Sequence, residues 1–558
     1  MLKTFSARNY KAFDEFELTL KPLTILLGAN SCGKSALINS FLMFSQTLDA
    51  KSFSESALRL NGSKVGMGEA LNIIKDKKQD TTLSFSFTFD NEKEIRQSLD
   101  VLKRDATESH FMLVRYMTHL FRQNKELFAS LQKSLDEIES IYVSSERFNT
   151  NQLGAIADKF CTLLKIYRKE KYILKKNNSP ASSISKFIDK TSIKKIRDCL
   201  TELLPISVSR YAATRIDYDF KYNRKTKTLI IKKINLTNKF QENVAHISIE
   251  DDNRVLISSD IIDDSILRTS KKEIVSLLNT DSLYLFDLDN SRYVPFAFFN
   301  DSSNPVASFF CRMIQVSLKQ LGKDFSENNI NHVSPLRAFP QRYYLLDKSI
   351  HHTQLNALDG TELAEILKNN SRIRDEINKL LAEFNIAIDV EKVNDIIHKI
   401  TVNQDAINLE LTDVGFGISQ VLPILVQAYL SPEQSITIIE QPEIHLHPKM
   451  QAWLTDALIK IAMEDKKKFI IETHSEALVR RIRLRIVDEG NSLTEKDVAI
   501  YHLEKEKLKG STSLNIVPIT QEGDITWPKD FMDVEIKDTL MIQHFKMKMN
   551  IENKKGMH

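Results

Sequence analysis

Gly28-Ala29-Asn30-Ser31-Cys32-Gly33-Lys34-Ser35 has the form G-x-x-x-x-G-K-S, and its flanks decide how it is read. The apolar run at residues 23–27 has strand character, and Leu37, Phe41, Phe44 and Leu48 beyond it fall at helical spacing. Strand, glycine loop and helix in that order mark a phosphate-binding loop (P-loop) and not a chance glycine turn. Backbone N–H groups of the loop, those of Asn30, Ser31 and Gly33 among them, combine with the helix N-terminus into a concave anion site. Lys34 is placed to reach β- and γ-phosphates, and the Ser35 hydroxyl to ligate Mg²⁺. The stretch predicts a nucleoside-triphosphate site.

A chain of 558 residues is too long for one compact core, so two or more domains are expected. Its 42% hydrophobic and 27% charged residues are ordinary for a soluble protein. No apolar run approaches the roughly 20 residues of a membrane span, which argues against a fused transporter. Met1-Leu2-Lys3-Thr4-Phe5 passes directly into an amphipathic strand, so no secretory leader is expected. Cys32, Cys161, Cys199 and Cys311 lie too far apart for a disulfide framework or a zinc spacing. A cytoplasmic setting follows as the expectation. The net charge of +3 is uneven: residues 165–233 hold 19 Lys and Arg against 6 Asp and Glu. Such a block is a nucleic-acid footprint, a solvated helical face or a contact with an acidic partner.

The pattern along the chain predicts an α/β fold in five sections. Residues 1–90 begin with two strands around Asn9-Tyr10-Lys11-Ala12-Phe13, then carry the P-loop and the alternating run Leu83-Ser84-Phe85-Ser86-Phe87-Thr88-Phe89. Residues 91–204 read as a helical insertion, charged and nearly free of Gly and Pro, with a loop at residues 177–183 and no sustained heptad. Residues 205–330 are a β-rich and mixed section: residues 208–262 return to short strands, with a hairpin across Asn223-Arg224-Lys225 that rejoins the sheet begun at residues 83–89, and residues 270–330 are mixed. Residues 331–520 carry the remaining signals, and 521–558 form a tail.

In that fourth section Gly415-Phe416-Gly417-Ile418-Ser419-Gln420 opens a helix through Val421, Leu425 and Tyr429. The apolar strand Ser435-Ile436-Thr437-Ile438-Ile439 ends in Glu440-Gln441-Pro442-Glu443, and Pro448 starts the next helix. Phe469-Ile470-Ile471 forms a further strand ending at Glu472-Thr473-His474-Ser475. Alternating strands and helices predict a mainly parallel sheet with ligands at its carboxyl ends. A strand ending in a carboxylate supplies what Mg²⁺ needs across from a P-loop, the role expected of Glu440.

These parts, in this order, resemble the ATP-binding-cassette (ABC) ATPases of the SMC, RecF and OLD type, over about residues 1–90 and 330–530. The resemblance implies an ABC head with an antiparallel β subdomain, ATP and Mg²⁺ as cofactors, and Ser35 and Glu440 as metal ligands. Gly415, Gly417, Ser419 and Gln420 would form the signature motif, closing on the γ-phosphate held by a second copy, so that ATP pairs two heads. His474 would be the switch histidine. A Q-loop is not located; Gln46 is a poor candidate. The second acid that usually follows the Walker B strand, as general base, is replaced here by Gln441. An amide orients water but cannot take its proton, and loss of a general base costs about 10²–10⁴ in rate. Slow hydrolysis with ATP as a clamp is the favoured reading; Glu443 or His474 as a substitute base is the other. Alternatively Glu443 caps the following helix, with His445 and His447 structural and not metal ligands.

Glu440-Gln441-Pro442-Glu443-Ile444-His445-Leu446-His447-Pro448, Ser334-Pro335-Leu336-Arg337-Ala338-Phe339-Pro340 with Arg342-Tyr343-Tyr344, and Gly523-Asp524-Ile525-Thr526-Trp527-Pro528-Lys529-Asp530-Phe531 narrow the likeness. Together they resemble the PtuA family, ATPases of Septu and Septu-like retron antiphage systems, although members often have Gly where Asp530 stands. That likeness implies a regulatory or scaffolding subunit working with a PtuB-like HNH nuclease, and in retrons with a reverse transcriptase and its RNA and DNA. The rivals are a RecF- or SMC-like repair ATPase acting on DNA directly and, more weakly, an OLD-like nuclease. Only 84 residues follow His474, read as strands and a tail with no clustered acidic metal site, and no His-Asn-His nuclease pattern occurs.

Overall fold

The computed structural model describes residues 1–49, 56–90, 92–122, 124–143, 150–175, 188–252, 254–286, 288, 301–326, 328–337, 340–345, 362–394, 396–405, 407–506, 510–527 and 538–547. They fall into two units, one made of Met1–Asn9 and Ala50–Lys323 and the other of Tyr10–Asp49 and Asp324–His558. The architecture is α/β.

In the first unit the alternation at residues 83–89 does what its period predicts. The strand Leu83–Phe89 buries Leu83, Phe85, Phe87 and Phe89 on one face. It pairs antiparallel with Leu2–Tyr10 on one side and Ala213–Asn223 on the other. Thr228–Asn238, Asn243–Ile249 and Val255–Ser258 extend the sheet, every pair antiparallel. Phe5 stacks on Phe85 and Phe87 with ring centroids 6.0 and 5.4 Å apart, each pair adding about 0.5–1.5 kcal/mol beyond its burial. The expected hairpin is present, with Asn223 opposite Thr228. Where short strands were expected from residue 208, a one-turn helix Val208–Tyr211 comes first and the two strands after it run 11 residues each. Burial of Tyr211, whose hydroxyl donates to the Leu203 carbonyl at 2.9 Å, fixes that turn.

Residues 92–204 are predominantly helical where described. Glu92–Leu120, Lys125–Val143 and Thr150–Lys175 pack on one another, and Ile193–Asp198 runs into a π-helical turn, Cys199–Leu203. The loop expected at residues 177–183 lies outside the described residues. Part of the basic excess at residues 165–233 is neutralised within the unit: Arg197 pairs with Asp158, Arg210 with Glu242, Arg224 with Asp80, and Lys221 and Lys232 with Asp251.

The second unit holds the mainly parallel sheet. Val498–Lys505, Leu23–Gly28, Lys468–Glu472, Ile436–Glu440 and Ile330–Val333 lie side by side in that order, all parallel. Thr512–Val517 adds antiparallel to Val498–Lys505, and Phe13–Thr19 meets it in parallel. Leu23–Gly28 is buried along its whole length, the continuous apolar run of a strand covered on both faces. Helices Lys34–Leu48, Phe416–Leu430, Pro448–Glu464 and Glu476–Val487 flank the sheet. A small antiparallel sheet of Tyr344–Leu345, Ile386–Lys392, Ile397–Gln404 and Ile407–Glu410 packs with helices Glu362–Asn369 and Ser371–Leu381. After His474 the expected strands are preceded by the helix Glu476–Val487, whose N-cap Ser475 accepts from the Leu478 N–H. Among the described residues no helix is long and apolar enough to cross a membrane.

Candidate functional site

Three parallel strands end together at the site. Register pairs Leu26 with Glu472 and Glu472 with Glu440, so both carboxylates leave the sheet beside the start of the P-loop. The loop backbone admits little but glycine at two positions. Gly28 has φ 146°, and a Cβ there would lie 2.5 Å from the Leu503 carbonyl oxygen. Gly33, at φ 103°, is the N-cap of the helix Lys34–Leu48 and supplies no side-chain cap. The first-turn N–H groups of that helix are thus left for an anion. Asn30, Ser31 and Ser35 are exposed around it, whereas Lys34 is buried. The Lys34 ammonium donates to the carbonyls of Gly28 at 2.8 Å and Ala29 at 3.0 Å, and lies 3.6 Å from Glu472 Oε1.

Glu440 Oε1 accepts from His332 Nε2 at 2.6 Å, on the neighbouring strand Ile330–Val333. Glu472 is 4% exposed, and its Oε2 has no hydrogen-bond partner. Burial first, and the charge of Glu440 second, push the Glu472 carboxyl up to about 7, with Lys34 opposing the shift.

The segment after Glu440 is pinned. Gln441 sits at φ 46°, its N–H donates to the Glu472 carbonyl at 2.7 Å, and Arg337 Nη2 donates to the carbonyls of Glu440 and Gln441 at 3.1 Å each. Arg337 is buried, and burial lowers its guanidinium to about 10. Glu443 does not cap the following helix; His447 does, accepting from the Lys449 N–H. The Glu443 carboxylate instead accepts from Thr473 Oγ1 at 2.8 Å and from the His474 N–H at 2.7 Å. Burial, then the charge of Lys34, lowers the His474 imidazole, against the pull of Glu443.

The structure therefore brings Lys34, Glu440, Gln441, Glu443 and His474 together. Gly417, Ser419 and Gln420 stand at a different helix start, that of Phe416–Leu430. Ser419 and Gln420 are buried there, and Gly417 lies against Leu446, which a Cβ would meet at 3.6 Å. Arg342 pairs with Glu410 and Asp413 just before that turn. Gln46 is buried in the P-loop helix. Ala338, Phe339 and residues 528–531 lie outside the described residues.

Sequence reasoning missed Glu472 and His332 as site residues. For Glu472 a signal was present: Ile438-Ile439-Glu440 and Ile470-Ile471-Glu472 are the same words at the ends of two strands. His332 has no local signal, since only sheet order brings it beside Glu440.

The residues fit a nucleoside triphosphate with Mg²⁺. A glycine cradle and an uncapped helix start suit phosphates, and a buried carboxylate oxygen without a donor, facing a second carboxylate, suits a hard cation. A family model described as "AAA ATPase domain" matches residues 1–479. Comparison with curated proteins gives no match. Among solved structures, the SMC head domain from Thermotoga maritima is similar at 7% identity and TM-score 0.31, covering 93% of this chain and 99% of its own. An Smc head domain with an extended coiled coil, bound to the C-terminal domain of ScpA and derived from Pyrococcus furiosus, is 8% identical at TM-score 0.31, covering 93% and 96%.

Proposed function

Since the chain belongs to the AAA ATPase domain family, we propose that it is an ABC-type ATPase of the SMC, RecF and OLD kind that binds ATP with Mg²⁺, pairs head to tail with a second copy on doing so, and hydrolyses slowly. The observation that carries this reading is the meeting of Lys34, Glu440 and Gln441 at the carboxyl ends of parallel strands separated only by the strand that ends in Glu472, with an amide where a general base is expected. Asn30, Ser31, Gly33 and Lys34 would hold the phosphates, and Ser35 and Glu440 the metal. Mg²⁺ supplies charge neutralisation of the phosphate oxygens. Gln441 orients water, Glu443 holds the Thr473–His474 turn, and His474, kept neutral, faces the phosphate end. Gly417, Ser419 and Gln420 close on the nucleotide of the second copy.

In the cell we place the protein as a PtuA-like regulator: the ATP-bound pair holds or positions an HNH nuclease in antiphage defence. A neighbouring gene for such a nuclease, or for a reverse transcriptase, would support this. Salt-sensitive DNA binding by the isolated chain would favour the repair reading instead.

Light scattering with Mg²⁺–ATP tests the core of it. The wild type should shift from monomer to dimer, Lys34→Ala should not, and Ser419→Arg should bind ATP yet stay monomeric. Pairing in Ser419→Arg would overturn the role given to the Gly415–Gln420 turn.

A further inference from the structure

We propose that Glu472 is the second carboxylate of the magnesium site, sharing the cation with Glu440; the inference rests on the ATP–Mg²⁺ reading above. Glu472 ends the strand lying between the P-loop strand and the strand that carries Glu440, in one row with both. Its side chain is buried, with Oε1 3.6 Å from the Lys34 ammonium and Oε2 without a hydrogen-bond partner. With both carboxylates ionised, neither neighbour supplies a donor to Oε2. Glu440 is itself an acceptor, already served by His332, and Lys34 directs hydrogen bonds to the carbonyls of Gly28 and Ala29.

Ionised together beside one ammonium, the two carboxylates carry an excess of negative charge, which a proton shared between them or a bound cation relieves. For the fold alone a glutamine at 472 would serve better, since it fills the same volume and its amide would donate to Glu440. A carboxyl kept where a neutral isostere would be more comfortable points to a ligand, and oxygen ligands point to a hard divalent cation. Among the described residues no three or more His, Cys, Asp or Glu side chains converge as a metal site. The pair thus forms a site only with nucleotide phosphates, the way Mg²⁺ is usually held: one or two carboxylates with the shell completed by phosphate and water.

Mn²⁺ is the probe. Free Mn²⁺ is titrated by electron paramagnetic resonance against the full chain with ADP, and ADP binding is measured separately in EDTA. Glu472→Gln should weaken nucleotide-dependent Mn²⁺ binding by about 10- to 100-fold while retaining ADP binding in EDTA and the wild-type circular dichroism. Glu472→Asp, which keeps the charge on a shorter arm, should fall between, and it carries the test should the glutamine variant not fold. Mn²⁺ affinity equal to wild type in the folded variants overturns the proposal and leaves the nucleotide reading standing. Failure of the wild type to bind ADP at all overturns the nucleotide reading itself.

Discussion

Replacing Gln441 by glutamate should turn a slow ATPase into a fast one. The backbone of residue 441 is fixed from both ends, by its N–H on the Glu472 carbonyl at 2.7 Å and by Arg337 on its own carbonyl at 3.1 Å. The exchange of amide for carboxylate keeps volume and leaves that frame untouched, so the new oxygen stands where the amide stood. A positioned general base is worth about 10²–10⁴ in rate, or about 3–5 kcal/mol off the barrier. Against this stands the repulsion of a third carboxylate near Glu440 and Glu472, moderated by Lys34 and the Arg337 guanidinium. It lowers the gain without reversing it, since bound Mg²⁺ would dominate the local charge. Steady-state phosphate release at saturating Mg²⁺–ATP, wild type beside Gln441→Glu, reads the difference. A brisk wild type with no gain in an ATP-binding variant would refute the reasoning. Glu443 would then be the base despite its bonds to Thr473 and His474, and Glu443→Gln would be the variant that stops turnover.

Two further outcomes test other parts of the structure. Arg337→Met removes a charged donor from two carbonyls but also a buried cation, terms of similar size and opposite sign; the fold should change by no more than about 2 kcal/mol. Loss of the pinned Glu440–Gln441 peptide should nevertheless lower ATP turnover about 10- to 100-fold, measured by phosphate release beside urea unfolding. His110, buried in the helix Glu92–Leu120 with Nδ1 donating to the Ala106 carbonyl at 2.7 Å, is held down to about 4 by burial. Its folded value lies below its unfolded one, so stability from this group is full above pH 6.5 and is lost as pH falls towards 4. The loss amounts to about 3 kcal/mol. Urea midpoints at pH 7.5 and 4.5 should therefore lie closer together in His110→Leu than in the wild type.

What could be read in the sequence was whatever is encoded locally. The run before Gly28, the period of two at residues 83–89 and the strand ending at Glu440 each carry their signal within ten residues, and each is where it was expected. The helix Glu476–Val487 was read over because Arg480, Arg481, Arg483 and Arg485 mask its apolar stripe of Leu478, Val479 and Ile482. What holds it is distant: Arg481 and Arg485 both bind Asp456 on the preceding helix. The same distance hid His332 and the facing of Glu440 by Glu472, since a strand's neighbour in a sheet is not its neighbour in the chain. The signature turn could be recognised by its glycines, but the burial of Ser419 and Gln420 could not, because it depends on how that helix packs.

The second unit is assembled from two pieces of chain with residues 50–323 between them, and this sets a timetable for synthesis. Leu23–Gly28 pairs with Lys468–Glu472 and Val498–Lys505, so the P-loop strand leaves the ribosome more than 400 residues ahead of either partner. At about 5–20 residues per second it waits for about 20–90 s, apolar on both faces and with both edges open. The intervening unit, whose pairings join mostly successive segments, can fold during that interval. The nucleotide site is among the last things the chain completes.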